Sequence, residues 1–524
     1  MRTQTRIVGR RAELDRLLAT LTTAATGTPT TTLVGGDAGA GKTRLLAELR
    51  HRAGEQGWTL VTGSCVQVGD YGLPYLPIID ILRQLEALDS GPTITRRPAL
   101  DSLLPSPQVG SPQVDSPQVG SPQISNPQRP TANNQHQLPE SLADSLVSGE
   151  AAVDSFAQGQ LFEAVLRTLT DYADRGPLLL AIEDLHWADR STRDLLSFLV
   201  RATRDTRIAI VATYRTDDLH RRHPLRPLLA DLGRLPQVER ITLPLLSVAE
   251  VAELVEVITG LPATPHRVEE LHRRSDGNPF YAEELIGQGS GQGPGNRLPH
   301  DLADLLLSRV AALPADGQQG LRIAAVAGRS VDDTLLAAVS TLAPSEFDDG
   351  LRAALDAGLI ELDGTGTRYA FRHALVQEAI YADLLPGERT RLHARFAQAF
   401  SATGPDPTSL GELAHHQLAA REDAAALTTL VAAARHAETL AGPGESLLQL
   451  EQALAILDRL GTGADRFELL MAAAAAAFAS GQPRRAVTLT QEAIAEADRS
   501  EHPDQASRAV SARERASHYA IELD

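Results

Sequence analysis

Gly36-Asp37-Ala38-Gly39-Ala40-Gly41-Lys42-Thr43 has the Gly-x-x-x-x-Gly-Lys-Thr spacing of a phosphate-binding loop. Lys42 is the single lysine of the chain; every other basic residue, among 49 lysines and arginines, is arginine. A bias that turns basic positions into arginine has spared this one. The chemistry gives the reason: a loop around β- and γ-phosphates needs a compact ammonium on a flexible stem, and the planar guanidinium fork does not replace it. The flanks follow in the required order. Thr30 to Val34 is a short β-branched and apolar run, and Arg44-Leu45-Leu46-Ala47-Glu48-Leu49-Arg50 carries apolar residues at helical spacing. A strand, loop and helix are expected, with the loop N–H groups and the helix's positive end holding phosphates at Gly36, Gly39, Gly41 and Lys42. The Thr43 hydroxyl is then placed to ligate Mg2+. The competing reading is a chance glycine-rich turn.

The second element such chemistry needs is an acid at the end of a buried strand. Leu178-Leu179-Leu180-Ala181-Ile182-Glu183-Asp184 supplies two, and its continuous apolar run is that of a parallel strand covered on both faces. Ser191 with Asp194 three residues on is read as a capping box opening the next helix. A further strand, Arg207 to Arg215, ends in Thr213-Tyr214-Arg215. Ligands collect at the carboxyl ends of parallel strands, so Thr213 or Arg215 is a candidate γ-phosphate sensor; the alternative is an arginine that caps the sheet edge.

Composition sets the outer limits. The 524 residues suffice for about three or four domains with real cores. A net charge of -18 argues against the chain as a whole tracking a nucleic-acid backbone. Cys65 is alone, which excludes a disulfide framework or a cysteine-based metal site. No secretory h-region and no apolar stretch of about 18 residues is found, so no membrane partner and a cytoplasmic location are expected.

Several stretches together resemble one family: Ile7-Val8-Gly9-Arg10-Arg11-Ala12-Glu13-Leu14, the phosphate loop, Glu183-Asp184-Leu185-His186-Trp187-Ala188-Asp189, Thr213-Tyr214-Arg215 and Asp276-Gly277-Asn278-Pro279-Phe280-Tyr281. They look like the AAA+-related signal-transduction ATPases with numerous domains, in particular the N-terminal part of large LuxR-type bacterial regulators. That resemblance implies ATP or ADP with Mg2+ as ligands, with Val8 and Gly9 bordering the adenine and Pro279 closing over the nucleotide from a helical lid. Glu183 takes the metal-orienting position and Asp184 the water-polarising one, so Lys42, Glu183, Asp184 and Arg215 form the implied catalytic set and Thr43, Glu183 and Asp184 the metal set. His373 is the implied contact to a bound diphosphate; a helix-start histidine packing locally is the alternative. The chain departs from the family in placing Glu before Asp at the acid pair, and in carrying Arg11 where the family has an acid.

The expected fold is an α/β P-loop NTPase with a parallel sheet (1–245), followed by a helical lid and linker (246–295), a winged-helix domain (296–385) and an α-helical repeat array of tetratricopeptide type (386–524). In the lid, Val251, Leu254, Val255 and Ile258 share one face. Ser106-Pro107-Gln108-Val109-Gly110 recurs, with variation, to Pro130; a proline in every five-residue unit reads as an extended insertion, about residues 101–140, between the first and second core strands. The functional expectation is an ATP-binding, slowly hydrolysing switch with a regulatory output. A protein or small-molecule inducer is expected on the helical array, a nucleotide-dependent homo-oligomer is allowed, and no DNA-binding helix-turn-helix is visible. A ring-forming ATPase doing mechanical or loading work, and a scaffold in which ATP is only structural, are the alternatives.

Overall fold

The computed structural model describes residues 7–65, 73–88, 97–100, 103–104, 151–288, 302–363, 366–402, 407–461, 466–499 and 502–522. The chain opens on α1 (Arg11–Ala25), β1 (Thr30–Gly36), α2 (Lys42–Glu55), β2 (Thr59–Ser64), α3 (Leu76–Leu88) and α4 (Ala151–Arg175). It continues through β3 (Leu178–Glu183), α5 (Arg190–Ala202), β4 (Ile208–Arg215), α6 (Leu225–Leu232) and β5 (Val238–Thr242). The five strands are parallel, in the spatial order β2-β3-β4-β1-β5. Leu17, Leu21, Leu45 and Leu49 of α1 and α2 cover one face, and Ile78, Leu82, Val165 and Leu195 from α3, α4 and α5 cover the other. The result is a three-layer α/β body.

β3, β4 and β1 take the middle because they are apolar toward both faces; Leu178 to Ile182 are each at most 1% exposed. In this register Gly36 lies opposite Arg215 and Ile182 opposite Ala212, so the phosphate loop, the acid pair and Thr213-Tyr214-Arg215 end side by side. Apolar patterning did not reveal β2 and β5, the two edge strands. Both are half exposed and carry no continuous apolar run. With β2 in place, the Ser-Pro-Gln repeat falls between β2 and β3 in the chain, not between the first two strands; it lies outside the described residues.

α7 (Val248–Thr259), α8 (Pro265–Ser275) and α9 (Pro279–Gln288) pack on one another around Val251, Leu254, Leu271 and Leu285. Ser247 and Glu250 make a capping box at the start of α7. Ile258, expected on the buried face, stands 36% exposed in the last turn of that helix. The expected linker beyond α9 lies outside the described residues from 289 onward.

Next come α10 (Leu302–Ala311), α11 (Ala315–Ala327), β6 (Ser330–Asp332), α12 (Asp333–Val339), α13 (Pro344–Asp356), β7 (Ile360–Leu362), β8 (Arg368–Phe371) and α14 (Ala374–Asp383). The antiparallel sheet β6-β8-β7 and its helices share a core of Leu321, Leu336, Leu351 and Phe371, the arrangement of a winged helix.

The rest is helical: α15 (Pro386–Ala402), α16 (Leu410–Ala419), α17 (Asp423–Thr439), α18 (Pro443–Leu460), α19 (Arg466–Ala479), α20 (Pro483–Arg499) and α21 (Pro503–Glu522), each packed on the next. Small side chains let these helices approach; Ala473 and Ala477 are fully buried between neighbours. Among the described residues no helix is long and apolar enough to cross a membrane.

Candidate nucleotide-binding site

The loop between β1 and α2 turns on Gly39 (φ +79°) and Gly41 (φ +91°), values that disfavour any residue with a Cβ. Gly41 is also the N-cap of α2, and no side chain caps the helix there, which leaves its first-turn N–H groups to an outside acceptor. A Cβ placed on Gly41 would meet nothing within 4 Å, so the cradle is open at that point. The Ala38 N–H already holds an anionic oxygen, Asp217 Oδ2 at 3.2 Å.

Lys42 lies inside this cradle, 8% exposed. Its Nζ donates to the carbonyls of Gly36 (2.7 Å) and Asp37 (2.9 Å), which leaves one of three donors in hand. Burial pulls its pKa down to about 8, against the pull of Asp184. An ammonium so desolvated gains most from a nearby anion, and the donor set fits a polyphosphate.

Glu183 and Asp184 take different surroundings. Burial, and then the Asp184 carboxylate, push the Glu183 carboxyl up, while Arg329 and a hydrogen bond from Thr43 hold it down. Asp184 sits in the left-handed region (φ +56°), its N–H donating to Thr213 Oγ1 at 3.1 Å. Its carboxylate is gripped by Arg329, which precedes β6 in the winged-helix body. Thr43 and Glu183 therefore meet, as a shared metal would require, while Asp184 faces a cation from another body.

Arg215, 7% exposed, donates to Glu378 Oε1 of α14 at 2.7 Å and to Asp218 Oδ2 at 3.3 Å. Burial works against its charge, yet Glu378 and Asp218 carry its pKa above the ordinary value. Its guanidinium lies 5.3 Å from the centre of the Trp187 ring. His186 packs against Trp187 and accepts the Arg215 N–H on Nδ1 at 3.4 Å; burial, helped by Arg215 and Lys42, holds it neutral with a pKa near 3.

The lid meets the loop directly. Asn278 Nδ2 donates to Ala38 O (2.8 Å) and the Phe280 N–H to Gly39 O (3.3 Å), so Pro279 at the start of α9 stands over the loop. A Cβ on Gly39 would come within 2.7 Å of Asn278 Oδ1. Val8 is buried among lid residues such as Leu246 and Val251, and Gly9 (φ +64°) passes too close to Leu246 for a side chain. Arg10, 3% exposed, ties this hinge together by donating to Ala40 O (3.1 Å) and Pro244 O (2.7 Å). His373 is the N-cap residue of α14 without a capping hydrogen bond from its side chain; its ring packs 4.1 Å from that of Phe280. Burial lowers its pKa to about 4, and Phe280 stands between its ring and the loop.

One local expectation is corrected. Asp189, not Ser191, caps α5, accepting the Thr192 N–H at 2.7 Å. Ser191 is drawn away because its N–H (3.1 Å) and hydroxyl both donate to Glu445 of α18. Sequence reasoning passed over Arg329, Glu378 and Glu445 as partners: ordinary charged residues far along an arginine-rich chain carry no local pattern. Arg10 had a signal, its place beside Val8 and Gly9.

Residues 6–211 match the family model described as AAA ATPase domain, and the chain carries such a domain there. A curated relative, an uncharacterised protein of Rhizobium meliloti (strain 1021), is 25% identical over 445 residues, 80% of this chain and 40% of that protein. The chain thus spans well under half the length of this relative. Among solved structures, a signal transduction ATPase with numerous domains and a tetratricopeptide repeat sensor from Pyrococcus horikoshii is 13% identical, covering 99% of this chain and 81% of that one at a TM-score of 0.43. Drosophila ORC bound to DNA is 12% identical over 72% of this chain and 87% of that one, at a TM-score of 0.33.

Proposed function

We propose that this protein is an ATP-binding switch whose nucleotide site is read by the winged-helix body. One observation carries the reading: two ion pairs, Asp184 to Arg329 and Arg215 to Glu378, join the acid pair and the end of β4 to that body. A site whose own charged residues are shared with a second body changes its grip on that body when its ligand changes.

In this reading Gly36, Gly39, Gly41 and Lys42 hold the phosphates, Val8, Gly9 and Pro279 enclose the base, and Thr43, Glu183 and Asp184 provide the metal's protein ligands. Bound Mg2+ would supply positive charge that neutralises the phosphates. Glu183 is held by Thr43 and pushed toward its neutral form, and Asp184 is occupied by Arg329, so neither carboxylate is free to polarise water. Hydrolysis from this arrangement is slow, and it quickens when the winged-helix body withdraws. The output we assign is regulatory, of the LuxR-like kind, with an inducer acting through the helical array. The test is nucleotide affinity of the purified protein: ATP or ADP should bind with the Lys42→Ala variant weaker by at least about a hundredfold, since a charge-assisted contact to phosphate is lost inside a dry site. Equal binding by both proteins would remove the loop from the account.

A further inference from the structure

A second charged cleft lies away from the nucleotide site, between α11, the turn joining α12 to α13, and the start of α15. This half-open cleft has a volume of about 430 Å³, the size of a small-molecule site. Its wall carries Arg322 on α11 and Arg391 and Arg395 on α15, with Gln319 and Thr341 hydrogen-bonded to each other at 2.9 Å on the rim. The floor is apolar, from Ile323 and Leu384, 1% and 3% exposed.

The sign of the charge in this cleft is opposite to that of the chain as a whole. The chain has a net charge of -18, yet here three guanidiniums face one carboxylate, Glu388. Glu388 already accepts the Leu385 N–H at 2.9 Å. Among the described residues, Arg322, Arg391 and Arg395 make no hydrogen bond or ion pair, whereas Arg389, two residues before Arg391, is spent on the Leu384 and Ala382 carbonyls. Three guanidiniums lining a half-open cleft with an apolar floor match several phosphate oxygens attached to a compact organic group.

We propose that this cleft binds a small phosphorylated metabolite through Arg322, Arg391 and Arg395. The net charge of -18 disfavours a nucleic-acid backbone, and the limited volume of the cleft suits a small ligand. Its place on α15 gives the ligand a consequence. Arg391 and Arg395 are four residues apart on one side of the helix, and between them His393 turns inward. There it meets Tyr381 Oη of α14 at 3.0 Å and His416 Nδ1 of α16 at 2.8 Å. A ligand that fixes α15 thereby acts where the winged-helix body joins the helical array. The site shares no residue with the nucleotide site, and the proposal stands whether or not the switch reading does.

The test uses inorganic pyrophosphate as the probe and the full chain carrying Lys42→Ala, so that the phosphate loop is disabled, followed by calorimetry. One equivalent should bind, and adding Arg391→Gln and Arg395→Gln should weaken it at least about tenfold by removing two charge-assisted contacts. The unliganded melting temperature should not move, because neither side chain makes a hydrogen bond or ion pair among the described residues. Arg322→Gln alone should give a smaller loss in the same direction. Unchanged affinity in the arginine variants, a heat reproduced by sodium chloride at equal ionic strength, or binding of a DNA duplex in place of pyrophosphate would each overturn the proposal.

Discussion

The AAA ATPase domain is held from two sides, and the two contacts differ in kind. Toward the winged-helix body the contact is made of charges at the nucleotide site itself: Arg329 on Asp184, Glu378 on Arg215 and the Phe280–His373 ring pair beside them. Toward the helical array it is buried and largely apolar. Leu440 and Ala441, in the turn between α17 and α18, pack into the domain's own core, Tyr75 donates to Ala441 O at 2.9 Å, and Glu445 is buried against Ser191. Charge pairs that use site residues can be released by a ligand bringing charge of its own. An apolar contact around a buried carboxyl has no such release. On the proposed switch reading, the winged-helix contact is the one a ligand releases and the array contact, which reaches α5 directly after the acid pair, is the one that holds.

The largest effect that separates the two contacts should come from Glu445→Ala. It leaves the Ser191 N–H and hydroxyl buried without an acceptor, and should cost about 2–4 kcal/mol in denaturant unfolding of the array from the domain. A cost within about 0.5 kcal/mol would erase the distinction between fixed and releasable contacts. Next is acidity. Burial, with Asp189 beside it, pushes the Glu445 carboxyl up from 4.5 to about 7, and Arg193 and Tyr75 also face this pocket. The folded state keeps a proton that the unfolded chain releases at about 4.5, so stability at this junction falls as pH rises from about 4.5 to 7 and is level above that. Melting curves at several pH values should show the slope in the native protein and lose most of it in Glu445→Gln, which keeps an acceptor for Ser191 without the titration.

Much of the layout of the candidate site was legible in the chain because its signals are local. A glycine loop, one lysine, a dry strand ending in acids and Asn278-Pro279-Phe280 are each short stretches whose spacing has a geometric meaning, and the sheet brings the first three together in register. The edge strands were not legible, since β2 and β5 face water on one side and mix glycine, threonine and charge into their runs. Nor was the partner of Ser191. A serine followed by an acid three residues on has the form of a helix start, and only the approach of Glu445 from 254 residues away converts it into an interdomain contact. Arg329 and Glu378 were invisible for the same reason, being set by docking of bodies and not by neighbours in sequence.

The smallest effect on stability should fall at Arg329, where a part-exposed pair contributes about 1 kcal/mol or less, yet this residue bears most directly on function. The decisive measurement is the steady-state ATP hydrolysis rate of Arg329→Ala beside the native protein, with Lys42→Ala as the blank. Freed from its arginine, Asp184 becomes available at the site, and turnover should rise several-fold, on the order of 1 kcal/mol in barrier. A rate equal to or below that of the native protein, in a variant that still binds nucleotide, would contradict the claim that the winged-helix body restrains the acid pair.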